Sequence, residues 1–343
     1  MHKNKSKISI IDVANHAGVG VGTVSRAINN TGSISPKTKQ KIMDSINELG
    51  YIPNRLAQSL RSQEYKNIVF FVNLEVTTFS RILNGMYTQF EYHGYMLSLC
   101  NIGESNILDK IKSYTSYQHF DGVILATPIE VDKELNEYLQ SLDVPVVTFE
   151  LSIPGLATGI TVDYHSAVMQ AANYLFSLNH RNIALLCGST NIPTNIGIIG
   201  GFREAFANHN IELQEELIIR SNASSNKIIV NELSLLMPQI RRKEISAILC
   251  MHTAFLPQLL QVMKDAKIRY PDDVSLIAVE DYELTKLLDP SITVIKRPLF
   301  DMGKKAAETL LKYIQQPDLY GQLPSNIIST EFIIRESCKI LKE

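Results

Sequence analysis

Six residues on a short segment make up an outward face that could meet a polyanion, four of them polar or charged: Val21, Gly22, Thr23, Ser25, Arg26 and Asn29, inside the run GVGTVSRAINN. Val24, Ala27 and Ile28 interleave with them at helical spacing. The segment therefore reads as a helix with one buried and one polar side. Hydroxyls, an amide and a guanidinium on one face can reach phosphates or base edges in a major groove. Val21 and Gly22, at the start of the helix, are the positions expected to face base edges. Thr23, Ser25 and Arg26 are expected mainly to grip phosphates.

The neighbouring elements position that face. Ser9 precedes an apolar-periodic segment, with Asp12 at the third helical position, a capping-box-like start. Ile10, Val13, Ala14 and Ala17 share one side. Gly18 stands where a left-handed backbone would end this first helix. Val19 and Gly20 make the turn, with Gly20 as N-cap of the second helix. Two short helices joined by a tight Gly-containing turn are a helix-turn-helix signature. A third helix starts at Ser35 as cap and Pro36 as first residue, carries Ile42, Ile46 and Leu49 inward, and stops at Gly50.

Charge is distributed to match. Residues 1–62 hold nine lysines and arginines against three acidic residues, a net +6, within a 343-residue chain of net −2. The remainder carries −8. A basic head on an acidic body fits nucleic-acid binding by the head; taken alone, it would equally fit a solvated basic tail.

From residue 66 the pattern alternates between short apolar strands and helices, starting with NIVFFVN and a helix over 80–92. YMLSLCN, a helix over 105–117, DGVILA, a helix over 132–141 and VPVVTFE complete a first series. A second runs from GITVD through a helix over 165–178, NIALLC, a helix over 197–209, ELIIR, a helix over 227–242 and ISAILCM. It ends with a helix over 255–266, DVSLIAVE, ITVIKRP and a helix over 301–315. Such alternation predicts parallel sheets covered by helices, here as two lobes. The fold class is thus a small all-α head followed by a two-lobed α/β core with parallel sheets. Ligands of such sheets sit beyond the carboxyl ends of the strands, and two facing lobes make a cleft.

Other chemistries find little support. Cys100, Cys187, Cys250 and Cys338 are far apart and lack metal spacing; the first three lie in apolar runs and read as buried core thiols. No H-E-x-x-H, G-x-S-x-G or P-loop occurs, and GSTNIPTNIGIIGG lacks dinucleotide-loop spacing. The chain reads as a non-enzyme without a cofactor. MHKNKSK is not a signal peptide, and no apolar run reaches membrane length, so a cytoplasmic protein is expected.

IIDVANHAGVGVGTVSRAIN followed by ELGYIPNRLAQSLRS resembles the LacI/GalR family of bacterial repressors. The dense part of the match covers about sixty residues, and a looser match runs through the rest. The resemblance implies a homodimer that binds a pseudo-palindromic double-stranded DNA operator and most often represses. It implies a head over 1–53, a hinge over 54–66 and a periplasmic-binding-protein-like, dimerising core over 67–343. The lobes are expected at about 67–162 plus 298–325 and 163–297 plus 326–343. In the hinge, Asn54, Arg55, Ala57 and Leu60 are implied to contact DNA, with Leu60 as a wedge that kinks the duplex through the minor groove. The alternative is that Leu56 and Leu60 only anchor a linker.

The resemblance also places Phe79, Thr127, Asp163, Thr194, Ile198, His252, Thr253, Glu280 and Arg297 around a small-molecule effector. Asp163 reads first as the cap of the next helix, since Asp is a preferred N-cap, and Phe79 is equally suited to core packing. Four positions depart from the family's pattern. Ile198 stands where an effector-binding Arg is usual, CMHTA replaces A-N-D, Glu280 replaces a common Asp, and Arg297 a frequent Gln. These departures point to a sugar-like effector made anionic by a carboxylate or phosphate, held in the Arg297 fork. The competing arrangement pairs Arg297 with Glu280 or another acid and closes an effectorless cleft. A protein co-regulator on the outer lobe surface fits such a cleft as well. The rival function is a cytoplasmic sugar-binding or sugar-processing protein with an incidental N-terminal extension.

Overall fold

The computed structural model describes residues 8–29, 31–51, 64–73, 79–103, 106–126, 131–188, 192–221 and 226–342. The chain divides into two units, Met1–Tyr65 and Lys66–Glu343.

In the first unit three helices, α1 (Ile10–Ala17), α2 (Val21–Asn29) and α3 (Pro36–Leu49), enclose a small core. The Ser9 backbone N–H donates to the Asp12 carboxylate at 2.8 Å and the Asp12 N–H returns to the Ser9 hydroxyl at 3.4 Å. Two orphan donors of α1 are thereby satisfied. Gly18 and Gly50 end α1 and α3 at φ +62° and +65°, the left-handed region where a Cβ is unfavourable. Val13, Ala14, Ala17, Val24, Ala27 and Ile42 are buried together. The α2 side chains on the buried side are thus the expected ones.

Among the described residues the second unit contains two six-stranded sheets. The first is built from β1 (Asn67–Val72), β2 (Met96–Asn101), β3 (Gly122–Leu125), β4 (Val146–Phe149), β5 (Ala157–Val162) and β11 (Asn326–Ile328). Its order is β11-β5-β4-β3-β1-β2, every pair parallel. The second combines β6 (Ile183–Cys187), β7 (Ile218–Arg220), β8 (Ala247–Cys250), β9 (Ser275–Val279), β10 (Thr293–Lys296) and β12 (Glu331–Ile333). Its order is β12-β10-β9-β8-β6-β7, with only the β10–β12 pair antiparallel. Both faces of each sheet are covered. Along β1, Ile68, Phe70 and Val72 enter one core while Val69 and Phe71 enter the opposite one. That is why the strand reads as an unbroken apolar run.

Helices α4 (Phe79–Tyr92), α5 (Ile107–Tyr117) and α6 (Lys133–Gln140) accompany the first sheet, joined by α13 (Leu299–Gln315) after β10. Helices α4 and α13 approach at a pair of glycines. A Cβ on Gly85 would lie 2.0 Å from the Phe300 carbonyl oxygen, and one on Gly303 would lie 1.9 Å from that of Ile82. The second sheet is covered by α7 (Tyr164–Ser177), α8 (Pro193–Asn208), α9 (Asn226–Ser234), α10 (Leu236–Arg241), α11 (Phe255–Asp265) and α12 (Glu283–Leu287).

Several boundaries differ from the sequence expectation, each for a local reason. Helix α8 begins at Pro193, four residues early, because proline suits the first helical position. The helix expected over 227–242 is broken at Leu235, where Pro238 has no N–H for the Ser234 carbonyl. The return to the second lobe comes after residue 328 and not at 326: Asn326–Ile328 extends the first sheet beside β5. The Asn326 amide donates to the Gly159 carbonyl at 2.8 Å and holds it there. Cys187 and Cys250 are buried as expected, whereas Cys100, on the edge strand β2, is only half-buried. Among the described residues no helix is long and apolar enough to cross a membrane.

Candidate functional site

The outer face of α2 follows from its caps. The Gly20 carbonyl accepts the Thr23 N–H at 2.8 Å and the Val24 N–H at 3.2 Å, which starts the helix directly after the turn. Val21 is exposed despite its apolar side chain, and Gly22 faces open space. Arg26 is exposed, with Nε donating to the Gly22 carbonyl at 3.2 Å. Thr23 and Ser25 are half-buried along the same helix. An apolar contact position, a gap and a cation are presented together on a rigid element. The hinge candidates Asn54, Arg55, Ala57 and Leu60, and the cleft candidate Thr127, lie outside the described residues.

In the second unit, strand ends from both sheets converge on a cavity of about 200 Å³. Asn73 follows β1, Ala126 follows β3, Phe149 ends β4 and Glu150 follows it. Met251, His252 and Thr253 follow β8, and Arg297 follows β10. Residues from the first two turns of α4, α7 and α8 complete the wall: Phe79 and Ile82, Tyr164, and Thr194, Asn195 and Ile198. This is the carboxyl-end location expected for open parallel sheets.

Arg297 lies at the base, nearly fully buried, in a dense polar cluster. Its Nε and Nη2 reach a single Glu280 oxygen at 2.7 and 2.5 Å. Its Nη1 donates to both Glu150 oxygens at 3.1–3.2 Å and to the Tyr164 hydroxyl at 2.8 Å. Tyr164 in turn donates to Glu150 at 2.6 Å. Burial works against the charged guanidinium, but Tyr164, Glu150 and Glu280 outweigh it and hold its pKa well above the ordinary value. Burial pushes the Glu280 carboxyl up, against the pull of Arg297. Each of the guanidinium's three nitrogens is therefore engaged by protein acceptors, and the fork expected to face an anion faces two carboxylates.

The other candidates divide. Phe79, Thr194, Ile198, His252 and Thr253 line the cavity with Arg297. Glu280 is buried and bonded to Arg297, and is not among the residues that line the cavity. Asp163 caps α7, accepting the Ser166 N–H at 3.0 Å, and its hydrogen bonds from Ser166 lower its pKa. His252 stacks on Phe255 at 4.1 Å, and burial together with Arg297 pushes its pKa down to about 4. It is neutral near pH 7. Glu150 and Tyr164 were not among the sequence candidates. Glu150 closes VPVVTFE, so the strand-end rule alone points to it; Tyr164 carries no such signal.

Comparison with known proteins gives concordant matches. Residues 9–54 match the model for bacterial regulatory proteins of the lacI family, and residues 172–338 match a periplasmic binding protein-like domain. The HTH-type transcriptional regulator DegA of Bacillus subtilis is 30% identical over 311 residues, covering 88% of this chain and 90% of that protein. The HTH-type transcriptional repressor PurR of Vibrio parahaemolyticus is 28% identical, covering 97% and 99%. Among solved structures, a lac repressor dimer bound to operator and the anti-inducer ONPF aligns at TM-score 0.83, 21% identity, over 97% of this chain and all of that one. A CelR–cellobiose complex aligns at TM-score 0.68 and 25% identity, over 96% and 99%.

Proposed function

This chain belongs to the lacI family of bacterial regulatory proteins and is a DNA-binding transcriptional regulator, not an enzyme, and from that premise we propose that it is a cytoplasmic, homodimeric repressor of a pseudo-palindromic operator. The observation that carries this reading is the exposed start of α2, with Val21, Gly22 and Arg26 on a head of net +6. Arg26, Thr23, Ser25 and Asn29 grip the phosphate backbone, and Val21 meets a base edge such as a thymine methyl. Gly22 adds no side chain, so fewer direct base contacts form here than with long polar residues at that position. Asn54, Arg55, Ala57 and Leu60 form the minor-groove element, with Leu60 as wedge.

The cleft between the two sheets is proposed as the effector site. It takes a small polyhydroxylated, sugar-like ligand through Asn73, Thr194, Asn195 and His252, with Phe79 and Phe149 as apolar walls. Closure of the lobes on that ligand changes operator affinity. The test is a gel-shift comparison of the full chain with residues 64–343 on genomic fragments selected by the full chain. Specific retardation by the full chain alone is expected, with a steep loss on raising salt. Equal retardation by both would remove the head from the binding role.

A further inference from the structure

The charge arrangement of the cleft constrains what its ligand carries, given that the cleft is an effector site as proposed above. Glu280 and Arg297 form a buried pair: their side chains are 3% and 8% exposed, and the Arg297 backbone N–H adds a contact to Glu280 at 3.3 Å. Glu150 is different. Among the described residues its carboxylate meets Nη1 of the guanidinium and the Tyr164 hydroxyl, its side chain is 18% exposed, and it lines the cavity. An ionised carboxylate offers about four lone-pair sites, so acceptor capacity remains for a ligand. One cation therefore stands among two carboxylates, and neutral His252 adds none. Glu150 and Glu280 both hold their carboxylates from left-handed backbone, at φ +54° and +82°. Such conformations in non-glycine residues are uncommon and cluster at ligand sites. Phe149 and Phe79 place aromatic surface beside Glu150 around the same cavity, a setting that suits a cation.

We propose that Glu150 is a specificity-determining acceptor, and that the cleft prefers a small hydroxylated ligand bearing a protonated amino group, of the amino-sugar class, over its neutral or phosphorylated counterpart. The ammonium donates to Glu150 while Arg297 stays with Glu280. A phosphate in the same place meets a carboxylate and a guanidinium whose nitrogens are already engaged.

Calorimetric titration of the full-length protein with matched hexoses, hexosamines and hexose 6-phosphates tests this, with operator affinity recorded for each. Some hexosamine is expected to bind at least tenfold tighter than its parent hexose, with the phosphate weakest. In Glu150→Gln the amine-to-neutral ratio is expected to fall to about one. A neutral hexose that binds as tightly as its amine and shifts operator affinity overturns this inference and leaves the effector reading standing. A tighter phosphate overturns it too, as does a preference that survives Glu150→Gln. If no member of any class binds or alters operator affinity, the effector reading fails with it. The wild-type panel decides the charge preference even if the variant proves unstable.

Discussion

The head and the cleft are built by opposite strategies. In the head, each determinant acts within a few residues of itself: Ser9 bonds Asp12, Gly18 ends α1, Gly20 starts α2, and Pro36 and Gly50 bound α3. The reading face is what remains after six small or branched apolar residues are buried. The base of the cleft joins positions 150, 164, 280 and 297, drawn from four separate elements. A local device fails locally; a cluster of buried charges fails as a unit. On the proposed reading, recognition should change with single residues of α2, whereas loss of one charge at the base of the cleft should be felt by the others.

The sharpest contrast should come from Arg297→Ala. It strands Glu280 and Glu150 without their cation, and loss of one partner of a buried pair costs about 3–5 kcal/mol. Urea unfolding followed by circular dichroism should show that loss in the core transition. Adding Glu280→Leu should restore part of it; no recovery would mean that Glu280 is not the stranded charge. Gly303→Ala comes next. Its Cβ would lie 1.9 Å from the Ile82 carbonyl oxygen, so α4 and α13 must separate, at about 1–3 kcal/mol. A melting temperature unchanged from wild type would show that the helices can part freely.

Acid should act on the cleft through His252. Its folded-state pKa, about 4, lies below the ordinary 6.5, so the unfolded chain binds the proton first as pH falls. Its contribution is whole above about pH 6.5 and disappears between there and about pH 4, on the order of 1–3 kcal/mol. His252→Gln should flatten stability over that window; an identical slope would remove His252 as the cause. The smallest effect is expected in the head. Ser9→Ala removes one cap, about 1 kcal/mol. Amide exchange should quicken over residues 10–17 and leave β1 and β6 unchanged. Faster exchange in the core as well would break the separation between the two regions.

The same contrast explains what could be read in the chain. Capping residues, left-handed glycines and helical periodicity are short-range signals, so the three head helices and the inward residues of α2 were legible from sequence. So was the strand–helix alternation, because strands buried on both faces are unbroken apolar runs. Long-range pairing was not. Nothing in NII distinguishes a strand beside β5 from one returning to the other sheet; the Asn326 amide bond to Gly159 decides it only once the sheet exists. Arg297 read as an anion fork because its own type permits one. The alternative pairing with Glu280 is the one present, and the further partners Glu150 and Tyr164 are 147 and 133 residues away. Asp163 was resolved in favour of its cap by a bond three residues long.

The central claim is that α2 reads DNA sequence and that two copies of the chain do so together. Selection from a random duplex library by the wild-type protein and by Val21→Gln, followed by sequencing, tests it most directly. The account predicts a two-fold-symmetric consensus for the wild type and a change at the same position of both half-sites for the variant. A consensus without symmetry, or one identical for both proteins, would contradict it.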